Sequence, residues 1–89
     1  MDDAYTAGRF VQELSVWLAE WDRTDAAGGA EAISRSFETA GDGLAASQSA
    51  RNLRAAELYD DVRFCARESV LDLVPRVEDV DAGVALITV

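Results

Sequence analysis

The sequence predicts a small all-α domain, a bundle of four helices. The first observation is the apolar spacing near the N-terminus, where Phe10, Leu14 and Trp17 recur along one face of a helix. The second is the stretch from residue 44 to about residue 59, which contains neither glycine nor proline. The third is Pro75, because proline suits the first position of a new helix. We therefore expect helices to form the regular structure of the chain.

The predicted elements follow one another within a single domain, residues 1–89. Gly28 and Gly29 interrupt the first helical pattern, because glycine is a poor residue for a helix interior. Asp42 is predicted to cap the second long helix, since its carboxylate can accept hydrogen bonds from free backbone N–H groups. In chain order we expect a helix over about 3–21, a long loop over 22–42, a helix over about 43–59, short helices over about 67–74 and 75–84, and an apolar tail at 85–89. Three alternatives are open for this tail: it packs on the core, it frays, or it marks a cut from a longer chain.

The core is predicted from the apolar residues at helical spacing. Trp17 and Trp21 lie on the first predicted helix. We interpret them as core residues rather than as a binding surface, since large aromatic side chains supply much of the stability of a small bundle. The residues expected in the core are Phe10, Leu14, Trp17, Phe37, Leu53, Val70, Leu71 and Val77.

The charge of the chain limits its partners. Seventeen acidic residues outnumber eight basic ones, which gives a formal net charge of −9. This excess opposes binding to nucleic acid and to anionic membranes, because phosphate contacts need clustered Lys and Arg. No apolar run approaches the ~20 residues of a membrane span. The single cysteine, Cys65, excludes an internal disulfide and fits a reducing compartment. We expect a cytoplasmic protein that binds neither nucleic acid nor membranes.

The side chains that most often carry catalysis are scarce. The chain has no histidine, so the most common general base and the most common zinc ligand are missing. Cys65 lies close in sequence to Arg63 and Arg67, which would favour a reactive thiolate, but an ordinary half-buried cysteine is the preferred interpretation. The sequence therefore predicts a protein that is not an enzyme and holds no metal.

One stretch resembles a known family. Residues 37–44, Phe-Glu-Thr-Ala-Gly-Asp-Gly-Leu, are similar to the Phe-Glu-Leu-Gly-Gly-Asp-Ser-Leu signature of acyl and peptidyl carrier proteins. The similarity continues at 53–56, Leu-Arg-Ala-Ala, and within 70–77, where Val-Leu-Asp-Leu precedes Pro-Arg-Val. It covers about residues 37–80. The resemblance implies a right-handed bundle of three main helices and one short helix, acting in nonribosomal peptide or polyketide biosynthesis.

The resemblance also implies a cofactor position. In carrier proteins a serine at the start of the second helix carries 4′-phosphopantetheine, and Gly43 occupies that position here, between Asp42 and Leu44. Glycine has no hydroxyl, so we expect no cofactor on this chain unless Ser47, one turn later, serves instead. The expected function is then that of an unmodified, carrier-like docking module whose partners are synthetase or synthase domains.

The docking surface is expected on the second long helix, at Leu44, Arg51 and Arg54. The two arginines interrupt an otherwise acidic pattern, and they form either a solvated face or a partner contact. A different hypothesis rests on the small size and the charge. It is a free-standing acidic helical inhibitor, of the immunity type, that covers a basic site on another protein.

Overall fold

The computed structural model describes residues 1–18, 20 and 22–89. Ala19 and Trp21, which the first predicted helix includes, lie outside the described residues. The described residues form five helices and two antiparallel strands, which are α1 (Asp2–Trp17), α2 (Asp25–Arg35), α3 (Ala40–Ala45), α4 (Gln48–Ala55), α5 (Tyr59–Cys65), β1 (Arg76–Asp81) and β2 (Val84–Thr88).

Hydroxyl side chains start three of the helices. The caps are Thr24 for α2, Thr39 for α3 and Ser47 for α4. Each side-chain oxygen accepts a hydrogen bond from the backbone N–H three residues on, at 3.0–3.1 Å, and so satisfies one of the free donors of the first turn. The expectation that Asp42 is a cap is wrong, because Asp42 lies inside α3 and donates its own N–H to Thr39. The predicted helix over 43–59 is divided, since α4 begins anew after Ser47.

Helices α1 and α2 make the most extensive contact between helices, and Gly8 permits it. A Cβ atom placed on Gly8 would overlap the carbonyl oxygen of Ala30 and lie 2.7 Å from the Cβ of Ser34. Polar side chains join the same interface. The amide of Gln12 donates to the Ser34 hydroxyl, which in turn donates to the carbonyl of Glu31 at 2.8 Å. Because the helices approach closely, the buried Ser34 hydroxyl is hydrogen-bonded to both of them.

Helix α2 lies within the predicted long loop 22–42, so the loop prediction is wrong there. Gly28 and Gly29 stand in its interior although each costs about 1 kcal/mol relative to alanine. The capping oxygen of Thr24 and the packing of Ser34 against α1 offset that cost. Tertiary contact therefore outweighs local propensity in this segment.

A β-hairpin replaces the predicted helix over 75–84. The turn between its strands is Ala82–Gly83, and both residues have positive φ, 50° and 80°. A two-residue turn of this kind matches the twist of paired strands. A bulge between Val77 and Asp79 adds one residue to β1, so that Val77 and Val80 pair with Ile87 and Ala85 across the hairpin. The two valines are three residues apart, a spacing also found on one face of a helix, and the bulge places them on one face of the strand.

Small side chains form most of the core, and the predicted set of core residues is wrong for most of its members. The buried apolar residues are Tyr5, Val11, Ala40, Ala50 and Val62. Among the eight predicted core residues, Phe37 and Leu53 are half-buried, whereas Trp17 is 82% exposed and Phe10 is 66% exposed. Because α1 turns Gly8 and Val11 inwards, its aromatic stripe points away from the core. The remaining predicted core residues are also exposed, namely Leu14, Val70, Leu71 and Val77.

The all-α prediction is wrong, since the described chain combines helices with a two-stranded sheet. It is not a four-helix bundle of the carrier type. Residues 67–74, predicted as a short helix, contain no regular structure. The predicted apolar tail at 85–89 forms most of β2. Among the described helices, none combines the length and the apolar character that crossing a membrane would need.

Replacing Gly8 with alanine should destabilise the protein strongly. The added methyl group would push α2 away from α1, and such overpacking costs about 1–3 kcal/mol. For a domain of this size the melting temperature should fall by about 5–20 °C. Gly29→Ala is the matched control, because a Cβ there meets nothing within 4 Å and alanine favours the helix. Equal melting temperatures for Gly8→Ala and wild type would refute the close approach.

Stability should also fall at alkaline pH through Tyr5. Burial raises the pKa of its phenol, the carboxylates of Glu68 and Asp42 add to the rise, and Arg9 opposes it. The unfolded chain then loses the phenolic proton at a lower pH than the folded chain does. The stabilisation is complete below about pH 10 and is lost as pH rises through the folded pKa.

Thermal unfolding at several pH values above 9 tests this expectation. The chain has no lysine, so few other groups titrate in this range. Tyr5→Phe should lose less stability than wild type between pH 9 and 11. Tyr59→Phe, which removes the other tyrosine, should keep the wild-type loss. A Tyr5→Phe profile that parallels the wild type would show that the phenol does not cause the effect.

Candidate functional site

A single arginine joins the two ends of the helical part of the chain. Arg9 lies on α1, and its Nε donates to the Glu68 carboxylate at 3.0 Å, 59 residues away in sequence. The other two nitrogens of the guanidinium face Gln12 at 2.8 Å and Glu13 at 3.5 Å. One side of the Arg9 side chain remains open, since 36% of its surface is exposed. Its position is therefore fixed while its charge stays accessible.

Two open hollows lie on either side of this ion pair and share three of their lining residues, Tyr5, Arg9 and Glu68. The first has a volume of about 330 Å³ and the second about 500 Å³. Both volumes fall within the range of pockets that hold small ligands. We call the two hollows together the Arg9 cleft.

The first hollow is mainly polar. Gln12, Ser34 and Arg35 line it together with the edge of Phe37, which meets the Tyr5 ring in a T-shaped contact with centroids 6.1 Å apart. Arg35 belongs to a larger cluster, because two of its nitrogens donate to the same oxygen of the buried Glu31 carboxylate, at 2.9 and 3.1 Å. 

A second arginine, Arg23, pairs with Glu31. It also donates to the Ser15 hydroxyl of α1 at 2.7 Å. One buried carboxylate is thus surrounded by two guanidinium groups, which compensates for its removal from water.

The second hollow is more apolar. Phe10 and Leu44 form part of its wall, and Cys65 and Arg67 lie at the end of α5. Arg67 is held by its own segment, since its guanidinium stacks 4.0 Å from the Phe64 ring centre and donates to the Phe64 carbonyl at 3.3 Å. The hollow therefore combines two fixed guanidinium groups with an apolar wall, and two glutamate carboxylates also line it. The Cys65 thiol is exposed, so the expectation of a half-buried cysteine is wrong.

This arrangement is suited to holding an anion. Arginine presents several N–H donors in a planar fork that matches carboxylate, phosphate and sulphonate oxygens. Tyr5 lines both hollows, and burial raises the pKa of its phenol, so the side chain is neutral near pH 7. Among the described residues, no group of three or more Asp, Glu, Cys or His side chains lies together in a way that would hold a metal ion.

The predicted cofactor position is buried rather than exposed to solvent. Gly43 is buried inside α3, where a Cβ would lie only 2.5–2.9 Å from three carbons of the Tyr5 ring. A serine there would displace the tyrosine, so the chain could not present a modified side chain at this position without repacking. Asp42 is exposed on the first turn of α3, and Leu44 lines the second hollow of the Arg9 cleft.

The other predicted site residues lie on α4, and neither of its arginines lines the Arg9 cleft. Arg51 donates to the side chain of Gln48 and to the carbonyl of Ala46, and Arg54 stacks 4.4 Å above the Tyr59 ring centre. Their role in partner contact stays a prediction. Ser47 is buried at the cap of α4, where its hydroxyl donates to the Leu44 carbonyl at 2.7 Å.

The sequence reasoning missed the residues of the cleft. Tyr5, Arg9 and Glu68 form no recognisable motif or spacing in the sequence. The available signal was charge, because Arg9 and Arg67 are basic residues in a chain of net charge −9. That signal does not show that the two residues meet, since the fold alone brings residues 9 and 67–68 together.

The chain was compared with protein-family models, curated proteins and solved structures. A family model described as 2-phosphosulpholactate phosphatase matches residues 1–80 of the 89. Neither a curated protein nor a solved structure matches the chain closely enough to count as a relative.

The family match corrects three predictions. The resemblance to acyl and peptidyl carrier proteins is wrong, and so is the biosynthetic docking function that it implied. The acidic inhibitor hypothesis finds no support either. The prediction that the protein is not an enzyme is wrong at the level of the family, because the matched family is one of phosphatases. The match spans most of the sequence, from α1 to the first strand of the hairpin, and the chain therefore belongs to the 2-phosphosulpholactate phosphatase family.

Proposed function

We propose that the chain takes part in the hydrolysis of a phosphate monoester of the 2-phosphosulpholactate type, and that the Arg9 cleft holds an anionic group of that substrate. The family match over residues 1–80 is the observation that carries the reaction class. The placement of Arg9 between two hollows supports the choice of site.

The chemistry of the substrate suits the cleft. A phosphorylated sulpholactate carries a phosphate ester, a sulphonate and a carboxylate, so recognition needs several positive charges on one surface. Arg9 lies between the hollows, with Arg35 on one side and Arg67 on the other. Guanidinium groups bind such oxyanions through paired hydrogen bonds. The apolar wall beside Arg67 reduces the water around the ligand, which strengthens these contacts.

The reaction itself requires little covalent chemistry from the protein. The oxygen of a water molecule bonds to phosphorus, the ester P–O bond breaks, and the alcohol oxygen leaves with a proton as the hydroxy acid. Catalysis of phosphoryl transfer depends mainly on positioning and on stabilising charge on the phosphoryl oxygens. Arg9 is the group that supplies this stabilisation. Glu68 is a positioning residue, since it fixes the Arg9 guanidinium through their 3.0 Å contact.

Phosphate release from 2-phosphosulpholactate tests the proposal. The full chain should release inorganic phosphate, and Arg9→Ala should lower kcat/KM by about tenfold to a hundredfold, the effect of one hydrogen bond to a charged group. The variant should stay folded, because a partly exposed ion pair contributes at most about 1 kcal/mol to stability. Arg51→Ala is the matched control, an exposed arginine on α4 that should keep wild-type kinetics.

The two parts of the proposal fail in different ways. A folded wild-type chain that releases no phosphate would contradict the reaction. A chain that releases phosphate, but whose folded Arg9→Ala variant matches Arg51→Ala, would place the anion elsewhere and leave the reaction standing.

A further inference from the structure

The hairpin of β1 and β2 is poorly supported by the rest of the described structure, because its strands contact mainly each other. Its register places Val77, Val80 and Ile87 on one face, together with Ala85. These three large side chains are 59–67% exposed. An isolated two-stranded hairpin is marginally stable at best in water, and further strands or a packed helix are normally needed. Further strands at its edge would therefore stabilise the hairpin.

The total surface of the chain points the same way. It exposes 7086 Å², whereas a folded monomer of 9.6 kDa exposes about 5,100 Å². Its radius of gyration is 15.5 Å, against about 12 Å for a compact domain of 89 residues. The chain therefore exposes about 2,000 Å² more than a compact monomer of its mass, and pairing through β2 would cover part of this surface.

The charges of the two strands select the edge that is available for pairing. β1 carries Arg76 and three acidic residues, Glu78, Asp79 and Asp81, which would repel their counterparts across a symmetric contact. β2, Val84–Thr88, carries no charge. Exposed strand edges are usually protected by charged residues, and β2 has no such protection. Two copies of a chain with net charge −9 also repel each other, so contact is favoured at an uncharged segment.

We propose that β2 pairs antiparallel with β2 of a second copy of this chain, around a two-fold axis at Leu86. In this register Leu86 lies opposite its own counterpart, Ala85 opposite Ile87, and Val84 opposite Thr88. The two hairpins form one four-stranded sheet, and their apolar faces become continuous because Ala85 and Ile87 share that face in each copy. The contact is self-complementary, as a two-fold interface requires. It is separate from the Arg9 cleft and goes beyond the proposed function.

Light scattering of the full chain during size-exclusion chromatography tests the dimer. The wild type should have twice the monomer mass of 9.6 kDa. Leu86→Lys should halve the measured mass, because two lysines would face each other at the axis. Val16→Lys is the matched control, an exposed apolar residue on α1 that should remain dimeric. A monomeric wild type, or a Leu86→Lys variant that remains dimeric, would overturn the proposal.

Disulfide trapping tests the register in the Cys65→Ser background. Leu86→Cys should cross-link to its own counterpart under mild oxidation, since directly opposite residues have Cα atoms about 4.5–5.5 Å apart, within disulfide range. Val84→Cys should not, because four residues of strand place the two cysteines about 14 Å apart. Cross-linking of Val84→Cys without Leu86→Cys would overturn the register. Absence of both cross-links would overturn pairing through β2. If a variant loses its helical circular dichroism, a chain that carries both Ala85→Cys and Ile87→Cys replaces it, because these two residues lie opposite each other in the proposed register.

Discussion

The close approach of α1 and α2 at Gly8 is the constraint on which the rest of the helical structure depends. Without a side chain at this position, the carbonyl of Ala30 and the side chain of Ser34 reach the backbone of α1. The contact decides which face of α1 turns inwards. That face carries Tyr5, Gly8 and Val11, so the larger apolar side chains of the helix remain outside. Helix packing in this protein thus selects small residues over a broad aromatic stripe.

The position of the candidate site depends on the same packing of α1 against α2. Once Tyr5 points into the interior, its ring covers Gly43 of α3 and meets Phe37 at the end of the α2 segment. Arg9, one residue after Gly8, then lies at the rim of the interface and reaches Glu68 beyond α5. The tyrosine and the arginine therefore join the packing of the helices to the Arg9 cleft. A change that separates the two helices would also move the charge of Arg9.

The absence of histidine led the sequence reasoning to exclude an enzyme, and this inference was too strong. Histidine is the most common general base, but phosphoryl transfer depends chiefly on orientation and on stabilising negative charge. Arginine supplies both functions without titrating near neutral pH. All eight basic residues of the chain are arginines, and those at positions 9, 35 and 67 line one cleft together with the glutamates at positions 13, 38 and 68. An acidic net charge is compatible with an anion site when a few cations converge locally.

The sequence by itself determined that a helix forms near the N-terminus. It also determined that the chain is acidic, that its basic residues are all arginines, and that its single cysteine cannot form an internal disulfide. Local patterns suffice for such features because they depend on neighbouring residues alone. Only the tertiary structure decided which face of α1 is buried, since the contact with α2 involves residues about 22 apart, such as Gln12 and Ser34. The hairpin escaped prediction because a bulge gives Val77 and Val80 a helical spacing on one face of a strand. The Arg9 cleft likewise depends on a contact across 59 residues, which no local pattern contains.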